Sequence, residues 1–293
     1  MTTEAPAIGA RPSSRSNVRA RTVVGRVTRA LLLFIGALVV LYPIWFLVSN
    51  AFKGTDQYLE SPLSFPWPLE WANFETATSG GSFGLWLANS AIFSIGSVVL
   101  GTAVAGLAAF AIARMRFRGR TLLAAGSAAL MIVPPVVMII PLFVLFTDLD
   151  LVGTRPGVIL IYAGLTIPFS VYMLTTFFRS LPRELFESAA IDGASPLSTL
   201  LRIVTPLSAP AIVTLVVVNL LFVWNDLLIA LVFLPSDELK TLMVGVTVFR
   251  SRYNLDVPVT MAGLVIAALP MLAVYLVGQR FFIRGLTAGA VKG

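Results

Sequence analysis

"GVILIYAGLTIPFSVYMLTTFF", residues 157–178, runs for 22 residues without a charged side chain. A helix rising about 1.5 Å per residue needs roughly 20 such residues to cross the ~30 Å hydrocarbon layer of a bilayer. A transmembrane barrel strand would be about half as long and would alternate polar with apolar positions. In lipid the backbone groups of such a run must be satisfied within the run itself, so the segment reads as a membrane-spanning helix. Working outward from it, five further runs have the same character: 30–51, 85–113, 121–147, 209–234 and 257–278. Only one of the six contains a charge, Asp226. The expected fold class is therefore all-α, a polytopic membrane protein with six transmembrane helices.

The composition agrees. Of the 293 residues, 57% are hydrophobic and only 12% are charged, about half the charged fraction usual in a soluble domain; the mean hydropathy is +0.91. There is no cysteine and no histidine, which excludes disulfides, thiolate and imidazole catalysis, histidine-ligated haem and ordinary zinc sites. The net charge of +7 lies in clusters at span ends rather than on one soluble face, so lipid headgroups and topology account for it and no nucleic-acid partner is expected.

Basic residues retained in short loops mark the cytoplasmic side. Six arginines precede the first run, Arg114, Arg116, Arg118 and Arg120 fill the link between the second and third, and three basic residues each fall in 179–208 and in the C-terminal tail. Sixteen of the 21 basic residues thus lie on one side, leaving Lys53, Arg155, Lys240, Arg250 and Arg252 on the other. Both termini are expected in the cytoplasm. Residues 1–29 are polar and Arg- and Ser-rich, and are expected to be a disordered tail. The first run is longer than a signal-peptide core and is not closed by a small-residue cleavage pattern, so it reads as a retained anchor. The membrane region is 30–283, with a cytoplasmic tail expected at 284–293.

Within the membrane part, Ser97, Gly101, Ala105, Ala109 and Ala113 recur at every fourth position, a small-residue stripe that admits close approach of another helix, in this chain or another. Pro134, Pro135 and Pro141 should kink or break the third span, and Pro168 and Pro270 interrupt the fourth and sixth. Such breaks serve either helix shape or the lining of a pathway. Asp226, in "FVWNDLLIAL", needs a hydrogen-bonding partner or a polar cavity to offset about 2.5–3.5 kcal/mol of insertion cost. A structural hydrogen bond and a place beside a substrate path, with Asn225, are both open.

Between the fourth and fifth runs stands "ELFESAAIDGASPLSTLLRIVTPLSAP", residues 184–210. Helix formers after Pro182 place Leu185, Phe186, Ala189 and Ala190 on one side; Gly193 can end that helix in the left-handed conformation, with Asp192 bonding locally to the turn. Ser195 and Pro196 form a cap and first-position pair for a second helix with Leu197, Leu200, Leu201 and Val204 on its apolar face. The expectation is two short helices and a turn, forming a loop over 179–208.

The order Glu187, Ser188, Ala189, three residues, Gly193, nine residues, Ile203, then Pro206 resembles the E-A-A-x-x-x-G-x9-I-x-L-P loop of binding-protein-dependent ABC importer permeases. Ser188 stands where that pattern has its first alanine, and Thr205 where it has leucine. "YPIWFLVSNAFK", "NSAIF", "AAFAIARMRFRGR", "FVWNDLLIAL" and the terminal "GLTAGAVKG" are similar to stretches of the carbohydrate, maltose-type, permeases. The resemblance covers nearly everything after residue 30.

It implies a non-enzymatic subunit of the cytoplasmic membrane that imports a sugar or oligosaccharide together with a second related permease, a homodimeric cytoplasmic ATPase and an extracytoplasmic solute-binding protein. ATP and Mg would be bound by the ATPase, with no cofactor in this chain, which has no G-x-x-x-x-G-K-[ST] phosphate loop. By the same resemblance Glu187, Ser188, Ala189, Asp192, Gly193, Ile203 and Pro206 would couple to the ATPase, and Thr287, Ala288 and Gly289 would reach it from the tail. The competing reading is a secondary transporter, for which a lone intramembrane carboxylate is thin support.

Overall fold

The computed structural model describes residues 15–79, 82–252 and 256–290, and every regular element among them is helical. In chain order the helices are α1 (Arg15–Ala51), α2 (Thr55–Glu60), α3 (Ala72–Ser79), α4 (Phe83–Arg114), α5 (Arg120–Leu130), α6 (Pro135–Asp148) and α7 (Arg155–Ser180). They continue with α8 (Glu184–Ile191), α9 (Pro196–Leu207), α10 (Ala209–Asn225), α11 (Leu228–Phe233), α12 (Leu242–Arg252) and α13 (Val257–Ala290).

Four of these, α1, α4, α7 and α13, hold segments long and apolar enough to cross a bilayer alone. The third expected span is split into α5 and α6, whose axes meet at 108°. The physical cause is the proline pair. Pro135 disfavours the helical region for the residue before it, and Pro134 is accordingly extended, with φ −62° and ψ 132°. The fifth expected span is also broken: α10 ends at Asn225, Asp226 is extended, and the remaining apolar residues form α11. Pro168 and Pro270, by contrast, sit inside α7 and α13 without ending them.

The expected disorder of residues 1–29 does not hold over 15–29, which belong to α1. Once the apolar span has met the cost of nucleation, each residue added at its end gains a hydrogen bond at little further cost. Residues 1–14 lie outside the described residues. The span of α1 is almost wholly uncovered by this chain, with burial confined to its last residues, Ser49, Asn50 and Ala51.

The bundle is organised on α4 and α7. Ser97, Gly101, Ala105, Ala109 and Ala113 are all buried, and the helix they admit is α7 of the same chain: a Cβ added at Gly101 would lie 2.8 Å from Thr166 Oγ1 and 3.3 Å from the Ala163 carbonyl. Asn219 on α10 donates to Ser170 Oγ on α7 at 3.0 Å, and the Trp224 indole donates to the Ala267 carbonyl at 3.1 Å, joining α10 to α13. At the end where α4 begins, Asn89 donates to the carbonyls of Glu238 (2.8 Å) and Lys240 (3.1 Å), pinning the segment before α12. Nearby in the chain's first loop, Lys53 is fully buried and its ammonium donates to the carbonyls of Ser61 (3.0 Å) and Pro62 (2.8 Å).

Candidate functional site

At the other end of the bundle, α7 gives way to the two short helices expected from the sequence. Helix α8 ends in a backbone-built stop: Gly193 has φ +73°, its N–H donates to the Ala190 carbonyl at 3.1 Å, and the Ala194 N–H donates to the Ala189 carbonyl at 2.9 Å. This pair of bonds is the Schellman arrangement, which satisfies the last carbonyls of a helix and calls for a residue at ease with positive φ. The Asp192 side chain makes no hydrogen bond among the described residues, so the turn is held by main chain and the expectation that Asp192 secures it is corrected. The carboxylate is left free on the surface.

Ser195 caps α9, its hydroxyl accepting from the Ser198 N–H at 3.2 Å. Pro206 then imposes a change of register. Having no N–H, it leaves the Arg202 carbonyl without its normal partner, and residues Leu200–Val204 adopt a π-turn in which the Thr205 N–H and hydroxyl both reach the Leu200 carbonyl. After Leu207 the chain turns by 82° into α10.

The elbow has two faces. Inward, Ala189 is buried, and buried Leu200 and Val204 with half-buried Phe186 join one apolar cluster with Ala109, Phe110 and Ala113 of α4, Phe178 of α7 and Leu215 of α10. Outward stand Glu187, Ser188, Ala190, Asp192 and Pro206, with Ile191 86% exposed and Leu197 and Leu201 more than half exposed. Ile203 is half-buried. Glu187, Ser188, Asp192, Gly193 and Pro206 thus lie exposed along one elbow, whereas Ala189 is turned inward and Ile203 is only partly exposed. Sequence reasoning missed two parts of it. Ile191 was not weighed, and Leu197 and Leu201, expected on one apolar face with Leu200 and Val204, are instead exposed while those two are buried. Arg114 was read only as a topological charge, whereas its guanidinium donates to the carbonyls of Phe178 and Leu181 (2.7 Å to Leu181) and lies 3.9 Å from the centre of the Phe186 ring.

Asp226 has the hydrogen-bonding partners that its place in the span calls for. Its Oδ1 accepts from the Tyr162 hydroxyl at 2.8 Å and from the N–H groups of Ile229 (2.9 Å) and Ala230 (3.3 Å), so it caps α11 and ties the break in the fifth span to α7. Asn225 is exposed and donates to the Leu221 carbonyl of its own helix at 2.8 Å. A cavity of about 470 Å³ lies where the α5–α6 break faces α7 and α10, lined by Met131, Pro135, Phe146, Thr166, Pro168 and Asn219 among others; neither Asn225 nor Asp226 lines it. Thr287, Ala288 and Gly289 continue the backbone of α13, and their side chains lie outside the described residues.

A family model, the binding-protein-dependent transport system inner membrane component, matches residues 97–284, from the middle of α4 into the last turns of α13. The chain belongs to this family. It is a permease component of an ABC importer. A putative ABC transporter permease of Caldicellulosiruptor sp. is 38% identical over 252 residues, 86% of this chain and 91% of that protein. The diacetylchitobiose uptake system permease protein DasC of Streptomyces coelicolor is 32% identical, over 93% of this chain and 99% of its own length. The trehalose transport system permease protein SugB of Mycobacterium tuberculosis is 31% identical over 86% of this chain. The fold is that of a chain in a bacterial ABC transporter involved in the import of the acidic polysaccharide alginate, with a TM-score of 0.79 at 24% identity, covering 90% of this chain and 98% of that one.

Proposed function

We propose that this permease imports a sugar or oligosaccharide, working with a second related permease, a homodimeric cytoplasmic ATPase that binds ATP and Mg, and an extracytoplasmic solute-binding protein. The elbow is the part that docks on the ATPase. The observation that carries this reading is its outward face: Ile191, Leu197 and Leu201 are exposed apolar side chains on the same elbow as the exposed carboxylates of Glu187 and Asp192, and its inner face is continuous with the core of the spans. An exposed apolar patch rimmed by polar groups on a rigid support is what a protein partner recognises. The carbohydrate class is supported by relatives whose names specify diacetylchitobiose and trehalose.

The elbow, and with it both termini, is assigned to the cytoplasm on the distribution of basic residues. Thr287, Ala288 and Gly289 are assigned a second contact with the ATPase. The solute path is taken to pass the broken fifth span at Asn225 and Asp226. A secondary transporter would want a carboxylate free to exchange its charge, and Asp226 Oδ1 already serves three donors.

The test is co-purification. The gene is expressed with those of its partner permease and ATPase, and Ile191→Asp is compared with the native chain. The variant should insert and bind the second permease, but retain at least tenfold less ATPase. Full retention by Ile191→Asp and by Leu201→Asp would remove the docking assignment.

A further inference from the structure

Helix α8 has eight residues and a three-residue link to α7, so a push on its outer face would tilt it unless something fastens it to the bundle. The fastening is visible at Arg114. This residue ends α4, and its Nη2 donates to two carbonyls at the end of α7, those of Phe178 and Leu181. Those acceptors sit at the negative pole of α7, where a cation is favoured and where the last carbonyls otherwise lack partners. The same guanidinium faces the ring of Phe186 on α8, with Cζ 3.9 Å from the ring centre, a geometry in which the ring quadrupole attracts the cation. Nε of Arg114 is buried without an acceptor among the described residues, so the carbonyl pair and the ring are what orient the group. One side chain therefore touches the ends of two spans and the first helix of the elbow.

We propose that Arg114 is a positioning residue that clamps α8 to the ends of α4 and α7, so that the elbow and these spans move as one body when the ATPases move. The proposal rests on the docking of the elbow proposed above. A lysine would not replace arginine here: an ammonium can donate to two carbonyls, as Lys53 does, but it has no planar face to lie on the Phe186 ring. Phe186 is the other half of the clamp: leucine keeps its burial but offers no ring.

The chain has no cysteine, so spin labels can be placed on Glu184→Cys, exposed at the start of α8 and outside the residues assigned to docking, and Ser236→Cys, exposed at the other end of the bundle. Pulsed EPR on the full complex in nanodiscs, without nucleotide and with ATP plus vanadate, reads the distance between them. In the native background the distribution should be narrow and its width unchanged by nucleotide. In Arg114→Lys it should at least double in width while ATPase retention stays normal, Phe186→Leu should do the same to a lesser degree, and the double variant should be no broader than Arg114→Lys alone. A melting temperature of the complex, measured alongside, moves with a merely structural role and the width does not.

Narrow distributions in both variants with retention intact overturn the clamp, as does a loss of melting temperature with no change in width. The Ile191→Asp complex separates the two proposals. If it loses the ATPases while Arg114→Lys stays narrow, docking stands and the clamp falls; if it keeps them, the docking reading falls and takes the coupling role of the clamp with it.

Discussion

At the scale of single residues, two positions carry opposite kinds of constraint. Gly193 is constrained by its backbone alone: φ is +73°, yet a Cβ added there would meet nothing within 4 Å. Substitution is therefore penalised by conformation and not by collision, and the left-handed region costs an ordinary residue about 1–2 kcal/mol and a β-branched one more. Gly193→Val should unseat the turn and reduce ATPase co-purification, whereas Gly193→Asn, which tolerates positive φ, should retain it to within about twofold. Asp226 is constrained by its partners. Removing its carboxylate orphans the buried Tyr162 hydroxyl and two N–H groups at the start of α11, at about 1–3 kcal/mol for each donor left unsatisfied. Asp226→Ala should lower the melting temperature of the detergent-solubilised permease markedly, and Asp226→Asn, which keeps an acceptor oxygen, much less. If sugar uptake falls equally in both while stability falls only in the first, the carboxylate charge itself serves the path.

At the scale of elements, the α4–α7 pair is the frame on which the rest is hung, and its contact is close because the stripe from Ser97 to Ala113 has almost no side chains. Gly101→Leu would drive a side chain into Thr166 Oγ1 and the Ala163 carbonyl, and should lower the yield of folded permease on size exclusion by an order of magnitude. Gly106→Leu, on the same helix with open space around it, should not. The stripe was legible in the sequence because its period is that of a helix face; the identity of its neighbour was not, since small residues welcome any helix. The spans were legible for a similar reason, being long and uncharged, and the proline pair announced the break in the third. Its 108° angle followed from packing that no local signal records. The fifth span read as one continuous apolar run because Asp226 was weighed as a charge, not as the cap that restarts a helix. Helices α2, α3 and α12 escaped notice because they are short, and the buried face of α3 exists only against other elements: Asn73, for instance, donates to the carbonyls of Ala51 and Lys53. On the elbow the caps at Gly193 and Ser195 were legible from turn chemistry, but the role of Arg114 depends on three helices meeting and could not be read from one.

At the scale of the whole molecule, the arrangement places the elbow at one end and the Asn89–Lys240 cluster at the other. Orientation across the membrane is the corresponding prediction. Single cysteines at Ser82 and Ser236 should react with an impermeant maleimide in intact cells, and one at Ser198 only after permeabilisation; external labelling of Ser198 would invert the topology and place the elbow out of reach of ATP. The first span stands apart from this frame. Its side chains are uncovered until the last residues, Ser49 to Ala51, and the family model begins only at residue 97. Within this chain such a helix is an interchangeable part: its middle specifies solubility in oil and little else. Exchanging residues 30–44 for an unrelated apolar sequence of equal length, polyleucine included, should leave the fold of the other helices intact, so whatever side-chain choice this segment carries is addressed to lipid or to the second permease and not to its own chain.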